Sequence, residues 1–243
     1  HLLAMSVPNL VAYDPAFAYE ISVIVRDGIE RMIINGDDVF YYITVGNEPY
    51  PQPAMPDGVE DGILKGLYRV READDADSER RVQLLGSGAI LNEVIEARDL
   101  LAEKYDVHAD VWSATSYKCL HDDAKEVERW NMLHPDDEPR VPYVAQCLAD
   151  APGPIVASSD YVKVLPDVIS RHVGRPIHAL GTDGFGRSDT RDALRDFFEV
   201  DHRFVALAAL YQLARRNVIE TKTVKQAMND LDIDPEKSDP LTE

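Results

Sequence analysis

The stretch Ile177-His178-Ala179-Leu180-Gly181-Thr182-Asp183-Gly184-Phe185-Gly186-Arg187-Ser188-Asp189-Thr190-Arg191 runs directly into Asp192-Ala193-Leu194-Arg195-Asp196-Phe197-Phe198-Glu199-Val200-Asp201. A short apolar run, three glycines and a helix start in one connection read as a strand that turns sharply into a helix. Gly181, Gly184 and Gly186 stand in the wrong order for the dinucleotide fingerprint, so the turn does not by itself announce a nucleotide site. Ser188 is expected to cap the following helix, with Asp189 and Asp192 near the positive end of its dipole. Phe185 is read as a core residue. Arg187 or Arg191 could instead hold an anion or a neighbouring subunit, chemistry that suits arginine.

The same strand, turn and helix grammar recurs upstream. Val7 to Ala12 is short and apolar. Asp14-Pro15 then reads as an N-cap with proline at the first helical position, and Phe17, Ile21, Ile24, Val25, Ile29 and Met32 follow at helical spacing. Asn35-Gly36-Asp37-Asp38 closes that pattern before the β-rich run Val39 to Val45, which gives a strand, helix, strand unit of the parallel-sheet type. Pro49, Pro51, Pro53 and Pro56 exclude regular helix or an inner strand and mark a linker with a boundary near it. Beyond it, Gly66 to Glu72 reads as a strand and Asp74 to Glu79 as a solvated acidic loop. Val82 to Leu85 reads as a strand entering Gly86-Ser87-Gly88 and a helix with Ile90, Leu91, Val94, Ile95, Leu100 and Leu101. Ala109 to Ser113 and Ile155 to Ser158 are further strands, the region from Thr115 to Pro142 is read as irregular, and an amphipathic segment covers Tyr161 to Val173. Helices are expected from about 190 to 198, 204 to 215 and 223 to 231.

Composition narrows the function. Forty-four acidic against 25 basic residues give a formal charge of −19 in 243 residues, which opposes binding to nucleic acid or to an anionic membrane. No apolar run approaches the ~18 residues that cross a bilayer, and a cytoplasmic location is expected. Cys119 and Cys147 sit in apolar surroundings without a partner motif and read as buried free thiols. The histidines His1, His108, His121, His134, His172, His178 and His202 form no metal-binding spacing, and no metal site is expected. Gly86-Ser87-Gly88 lies where an α/β domain can hold a phosphate, but it lacks the third glycine of one fingerprint and the Gly-Lys-Ser/Thr of another; a tight structural turn is the plainer reading. Asp160 and Asp183, near strand ends, are acids by analogy with other α/β folds only.

Four stretches carry a resemblance over the length of the chain: Val11 to Glu20, Tyr41 to Glu48, Glu128-Arg129-Trp130-Asn131-Met132-Leu133-His134-Pro135, and the glycine-rich connection. Together they closely resemble the homodimeric bacterial pyruvate dehydrogenase first component, a thiamine-diphosphate-dependent, transketolase-like family, and the chain looks like its carboxyl-terminal portion, cut from a longer protein. The resemblance implies an α/β fold. Residues 1–58 would be the end of a pyrimidine-binding domain with its linker, and 59–243 a transketolase-type carboxyl-terminal domain whose mixed, mostly parallel sheet is covered by helices. It implies oxidative decarboxylation of pyruvate and acetyl transfer to lipoyl groups of an acyltransferase component, with thiamine diphosphate and Mg²⁺ as cofactors. The implied partners are the remaining domains of the enzyme, a homodimer mate and the acyltransferase. In that family a Gly-Asp-Gly motif with a downstream Asn holds diphosphate and metal, and a glutamate activates the cofactor; neither lies in this sequence, so no cofactor-binding or metal residue is expected here and the segment should be structural, dimer-forming and inactive alone. His1 falls at the end of a family Gly-His-Ser-His stretch near the cofactor and is the single candidate catalytic residue, as proton relay or hydrogen-bond partner. The alternatives are a free-standing, non-catalytic module that takes an anionic metabolite at the Gly86 or Gly181 turn, and a segment of another transketolase-like enzyme.

Overall fold

In the computed structural model, which describes residues 1–75 and 77–243, strand residues alternate between two covered faces. Strand β4 (Arg81–Gly86) sends Val82 and Leu84 to one face and Leu85 to the other, and β5 (His108–Ser113) splits Val111 from Trp112 in the same way. That period of two across an entirely buried strand means helices on both sides. On one face lie α3 (Ile90–Tyr105), α8 (His202–Arg215) and α9 (Thr221–Asp230); on the other lie α4 (Tyr117–Leu133), α5 (Tyr143–Leu148) and α6 (Val164–Val173).

With β3 (Tyr68–Arg71), β6 (Ile155–Ser158) and β7 (Ile177–Leu180), the sheet runs β3-β5-β4-β6-β7; β3 is antiparallel to β5 and the other pairings are parallel. The mixed, mostly parallel sheet covered by helices is the expected one. Strands β5 and β6 lie on opposite sides of β4, so the carboxyl ends of β4 and β6 flank the point where the winding reverses, the place where open α/β sheets form a crevice.

A second, two-stranded parallel sheet joins β1 (Leu10–Tyr13) to β2 (Phe40–Ile43) through α1 (Ala18–Ile29), which continues as one π-helical turn (Glu30–Asn35). The short helix α2 (Glu60–Lys65) lies between the two sheets in the chain, and Tyr13, Val23, Ile24, Ile63 and Tyr68 form a small shared core. Helix α7 (Arg191–Phe197) follows the glycine-rich connection.

Four expectations need correction. The region from Thr115 to Pro142 holds the 17-residue α4, started by the Ser116 hydroxyl accepting from the Cys119 amide. The cap of α7 is Thr190, which accepts from the Ala193 amide, and not Ser188. Phe185 is 80% exposed, because Gly184 at φ +99° packs its backbone against Pro240 and turns the next side chain outward. Asp14 caps nothing, since the chain stays extended to Phe17 and the Glu20 carboxylate reaches back to the Ala16 and Phe17 amides. Ala76, inside the expected acidic loop, lies outside the described residues.

Candidate functional site

The carboxyl end of β1 is seated against the loops that follow β4 and β5 of the five-stranded sheet. The Asp14 amide donates to the Thr115 carbonyl (2.8 Å), the Gly88 amide donates to the Asp14 carbonyl (3.0 Å), and the Ser116 hydroxyl donates to the Ala12 carbonyl (2.6 Å). The Gly86-Ser87-Gly88 turn is thus already occupied. Gly88 has φ +51°, and a Cβ there would stand 2.7 Å from both Asp14 carboxylate oxygens. The Asp14 side chain fills the space against this turn, which leaves no room for a phosphate cradle at Gly86.

From Asp14 a chain of polar contacts runs outward. Thr44, just past β2, donates its hydroxyl to Asp14 Oδ1 (2.7 Å), and His1 Nε2 lies 3.1 Å from the same Thr44 Oγ1. The His1 imidazole packs against Tyr42 and edge-on against Tyr161, with ring centroids 5.3 and 4.8 Å away. His1, Tyr42, Asp160, Tyr161, Val162 and Thr182 line a cavity of about 530 Å³ with the apolar residues that follow His1. Burial holds the Asp14 carboxyl above the ordinary carboxylate range, against the Thr44 hydrogen bond. Partial burial, then the neighbouring Asp14 charge, pushes Asp160 up as well, and burial raises the Tyr161 phenol. The arrangement combines an imidazole, two aromatic faces and a rim carboxyl that holds its proton more readily than usual, which suits hydrogen bonding and proton transfer.

Other candidates fall elsewhere. Asp183 accepts from the Lys163 amide (3.0 Å) and fastens the start of α6. Gly181 packs against the Tyr161 carbonyl, where a Cβ would sit 2.2 Å away. Arg191 is engaged within the chain, donating to Asn47 Oδ1 (2.5 Å) and lying 3.5 Å from Glu48, while the Arg187 guanidinium covers the Phe197 ring at 4.7 Å. Arg195 joins the linker to the helices, bonding Glu48 (2.5 Å) and Glu93 (3.0 Å). Cys119 and Cys147 are free thiols.

The residues present do not fit a diphosphate and its metal. Among the described residues the one cluster with metal-ligand chemistry is Glu93, Glu96 and His202. Glu93 there accepts from Arg195, from the His202 amide and from the His202 ring (3.1 Å). Burial works against its charge, but the His202 hydrogen bonds and Arg195 outweigh it and hold the carboxyl below its ordinary range; Glu93 in turn raises His202. A carboxylate already neutralised by a guanidinium is a poor cation ligand, and nothing in this cluster would receive phosphate.

Residues 66–201 match the model of the transketolase-like C-terminal domain. The chain belongs to that family. Residues 1–53 match the pyruvate dehydrogenase E1 component middle domain. Over 242 residues the chain is 52% identical to a pyruvate dehydrogenase E1 component of Pseudomonas aeruginosa and 48% identical to one of Escherichia coli, in each case covering 99% of this chain and 27% of the relative. The resemblance read from the Trp130 to Pro135 and Tyr13 to Ala16 words is borne out, and the chain spans about a quarter of the length of these relatives. Among solved structures, a split-gene transketolase described as an inactive β4 tetramer superposes with a TM-score of 0.60 at 18% identity, covering 87% of this chain and 60% of that one. A Pichia stipitis transketolase in complex with sedoheptulose 7-phosphate superposes at 0.58 and 17% identity, covering 88% and 26%. At these identities the superpositions speak for the fold.

Sequence reasoning named His1 and Asp160 but missed Asp14, Thr44 and Tyr161. Asp14 was visible as Asp-Pro after a strand, which reads equally as a helix cap; Thr44 and Tyr161 carry no local signal, and only the meeting of two sheets brings them together.

Proposed function

We propose that this chain is the carboxyl-terminal part of a thiamine-diphosphate-dependent pyruvate dehydrogenase first component, in which it serves mainly as architecture and dimer surface. Residues 1–58 form the end of the pyrimidine-binding domain with its linker, and residues 59–243 the transketolase-type domain. The whole enzyme decarboxylates pyruvate oxidatively and passes the acetyl group to lipoyl groups of the acyltransferase component. What supports the reading is the β1–α1–β2 unit. It has two strands and a helix, leaves Phe40, Tyr42, Val25, Ile29, Ile33 and Ile34 exposed, and yet is riveted to a fully wrapped five-stranded sheet. A sheet of two strands with apolar side chains in water is too small to be stable alone and calls for more strands against it.

When bound, thiamine diphosphate supplies the carbanion chemistry; this chain supplies none of the groups that would hold its diphosphate. His1, on the cavity wall, is the residue of this chain nearest in role to the chemistry, as a hydrogen-bond partner or proton relay. Calorimetric titration of the 243-residue chain with thiamine diphosphate and Mg²⁺ should give no saturable heat. Tight binding accompanied by pyruvate decarboxylation would overturn the architectural reading. Sedimentation of the chain at increasing concentration tests the dimer surface, and a monomer throughout would remove it.

A further inference from the structure

The contact of His1 with Thr44 fixes which ring nitrogen carries the proton. Thr44 Oγ1 has one hydrogen, and two of its neighbours are acceptors: Asp14 Oδ1 at 2.7 Å and the Tyr13 carbonyl at 3.3 Å. A proton on Asp14 Oδ1 would be donated to Thr44 Oγ1 and send the Thr44 hydrogen to the Tyr13 carbonyl, so the side of Oγ1 facing His1 is an acceptor in either state. With its hydrogen committed to that side, Thr44 Oγ1 meets the His1 Nε2 at 3.1 Å by accepting, so Nε2 is the donor. Nδ1 makes no hydrogen bond among the described residues and is left as the lone-pair atom of a ring seated between Tyr42 and Tyr161.

We propose that Asp14, acting through Thr44, is a positioning residue that holds neutral His1 as the Nε2–H tautomer and leaves Nδ1 as an acceptor on the wall of the cavity lined by Tyr42, Asp160 and Tyr161. The ligand such a wall takes carries an O–H or N–H donor on a flat or apolar body. The use of Nδ1 toward a ligand rests on the function proposed above, whereas the tautomer rests on geometry alone.

The test reads ¹⁵N chemical shifts in protein labelled at histidine, at pH 8, with the His1 signals assigned by their loss in His1→Gln. The expected result is one tautomer, with a protonated Nε2 and an unprotonated Nδ1. Thr44→Val should return a mixture and Thr44→Ser should restore the single form. If Thr44→Val fails to fold by circular dichroism, the wild-type and Thr44→Ser spectra still decide. A wild-type His1 protonated mainly at Nδ1, an evenly mixed wild-type ring, or a folded Thr44→Val protein with the wild-type spectrum overturns the proposal. The readout needs neither cofactor nor substrate, so an inactive chain leaves it intact and a wrong tautomer leaves the architectural reading intact.

Discussion

At one end of the boundary between the two sheets, Glu20 is fully buried and receives four hydrogen bonds, from the amides of Ala16 and Phe17 and from the hydroxyls of Tyr68 (2.7 Å) and Ser113 (2.6 Å). At the other end the Asp14 carboxyl is enclosed too, yet it receives the Thr44 hydroxyl alone, and its Oδ2 has no hydrogen-bond partner. Burial raises both groups above the ordinary carboxylate range, so enclosure is not what separates them. Satisfaction is. Glu20 fastens β1–α1 to β3 and β5, while Asp14 keeps capacity in reserve at the cavity. The largest expected effect lies at the satisfied end. Glu20→Ala strands two amides and the Ser113 hydroxyl, leaves the Tyr68 hydroxyl with Tyr19 alone, and should cost about 3 kcal/mol or more, read as a lower urea midpoint with an unchanged slope. Ser113→Ala removes one donor to the same carboxylate and should cost about 1.5–3 kcal/mol. A loss under roughly 0.5 kcal/mol for Glu20→Ala would erase the contrast.

How much of this was legible depends on where the determining contacts lie in the chain. The strand Ile155–Ser158 was readable because burial on both faces makes it short and mostly apolar, and the edge strand Ile177–Leu180 because a glycine-rich turn follows it. Helix α4 was not, since its buried set of Tyr117, Lys118, Leu120 and Ala124 lies in its first half and the rest is charged and largely solvent-facing. A helix so polar on average is easily taken for a solvated segment even though its few apolar residues keep helical spacing. The Glu20 end could have been found from sequence, because a glutamate three residues after Phe17 is the far half of a capping box. Its partners Tyr68 and Ser113 could not, being 48 and 93 residues away. The candidate site was the least legible part, because Asp14, Thr44 and Tyr161 come from three separate strand ends.

Gly88→Ala probes the Asp14 end through its backbone. The substitution combines a left-handed φ of +51° with a methyl group 2.7 Å from the carboxylate oxygens, and should cost about 2 kcal/mol. A second effect follows at the site: displacement of Asp14 loosens Thr44 and with it His1, and the Thr44 amide and His1 ring resonances should broaden or shift. A stable Gly88→Ala protein with unshifted resonances would mean that the turn and the carboxylate are not packed together as described.

Asp14→Asn separates the two carboxylates by pH. The native Asp14 keeps its proton to higher pH than the unfolded chain, whose carboxyl titrates near 3.8. Between those two values the folded state binds more protons, so raising the pH through that window lowers stability, by at most about 1.4 kcal/mol per pH unit for one group. The stability of the wild type relative to Asp14→Asn should therefore fall as the pH rises from 4 toward 8. Glu20 contributes a slope of the same sign to both proteins and cancels. A difference that does not change over this range, or grows in favour of the wild type, would show that Asp14 is not held protonated by its surroundings.

The smallest expected effect lies beside Asp14, at Ser87. Ser113 and Ser87 are both fully buried serines near a buried carboxylate, but Ser113 Oγ donates to Glu20 whereas Ser87 Oγ is enclosed without a hydrogen bond. Ser87 still lies close enough to help hold the Asp14 carboxyl down against burial. Removing the Ser87 hydroxyl gives up that weak assistance and also removes an unsatisfied buried polar group, two terms of opposite sign and similar size. Ser87→Ala should accordingly change stability by no more than about 0.5 kcal/mol, against the larger loss for Ser113→Ala, when both are measured by urea unfolding at one pH. Equal losses at the two serines would place an unseen partner on Ser87 and make the Asp14 end as fully satisfied as the Glu20 end, whereas a gain at Ser87 alone would confirm that the chain tolerates an unpaired hydroxyl there as part of keeping Asp14 free.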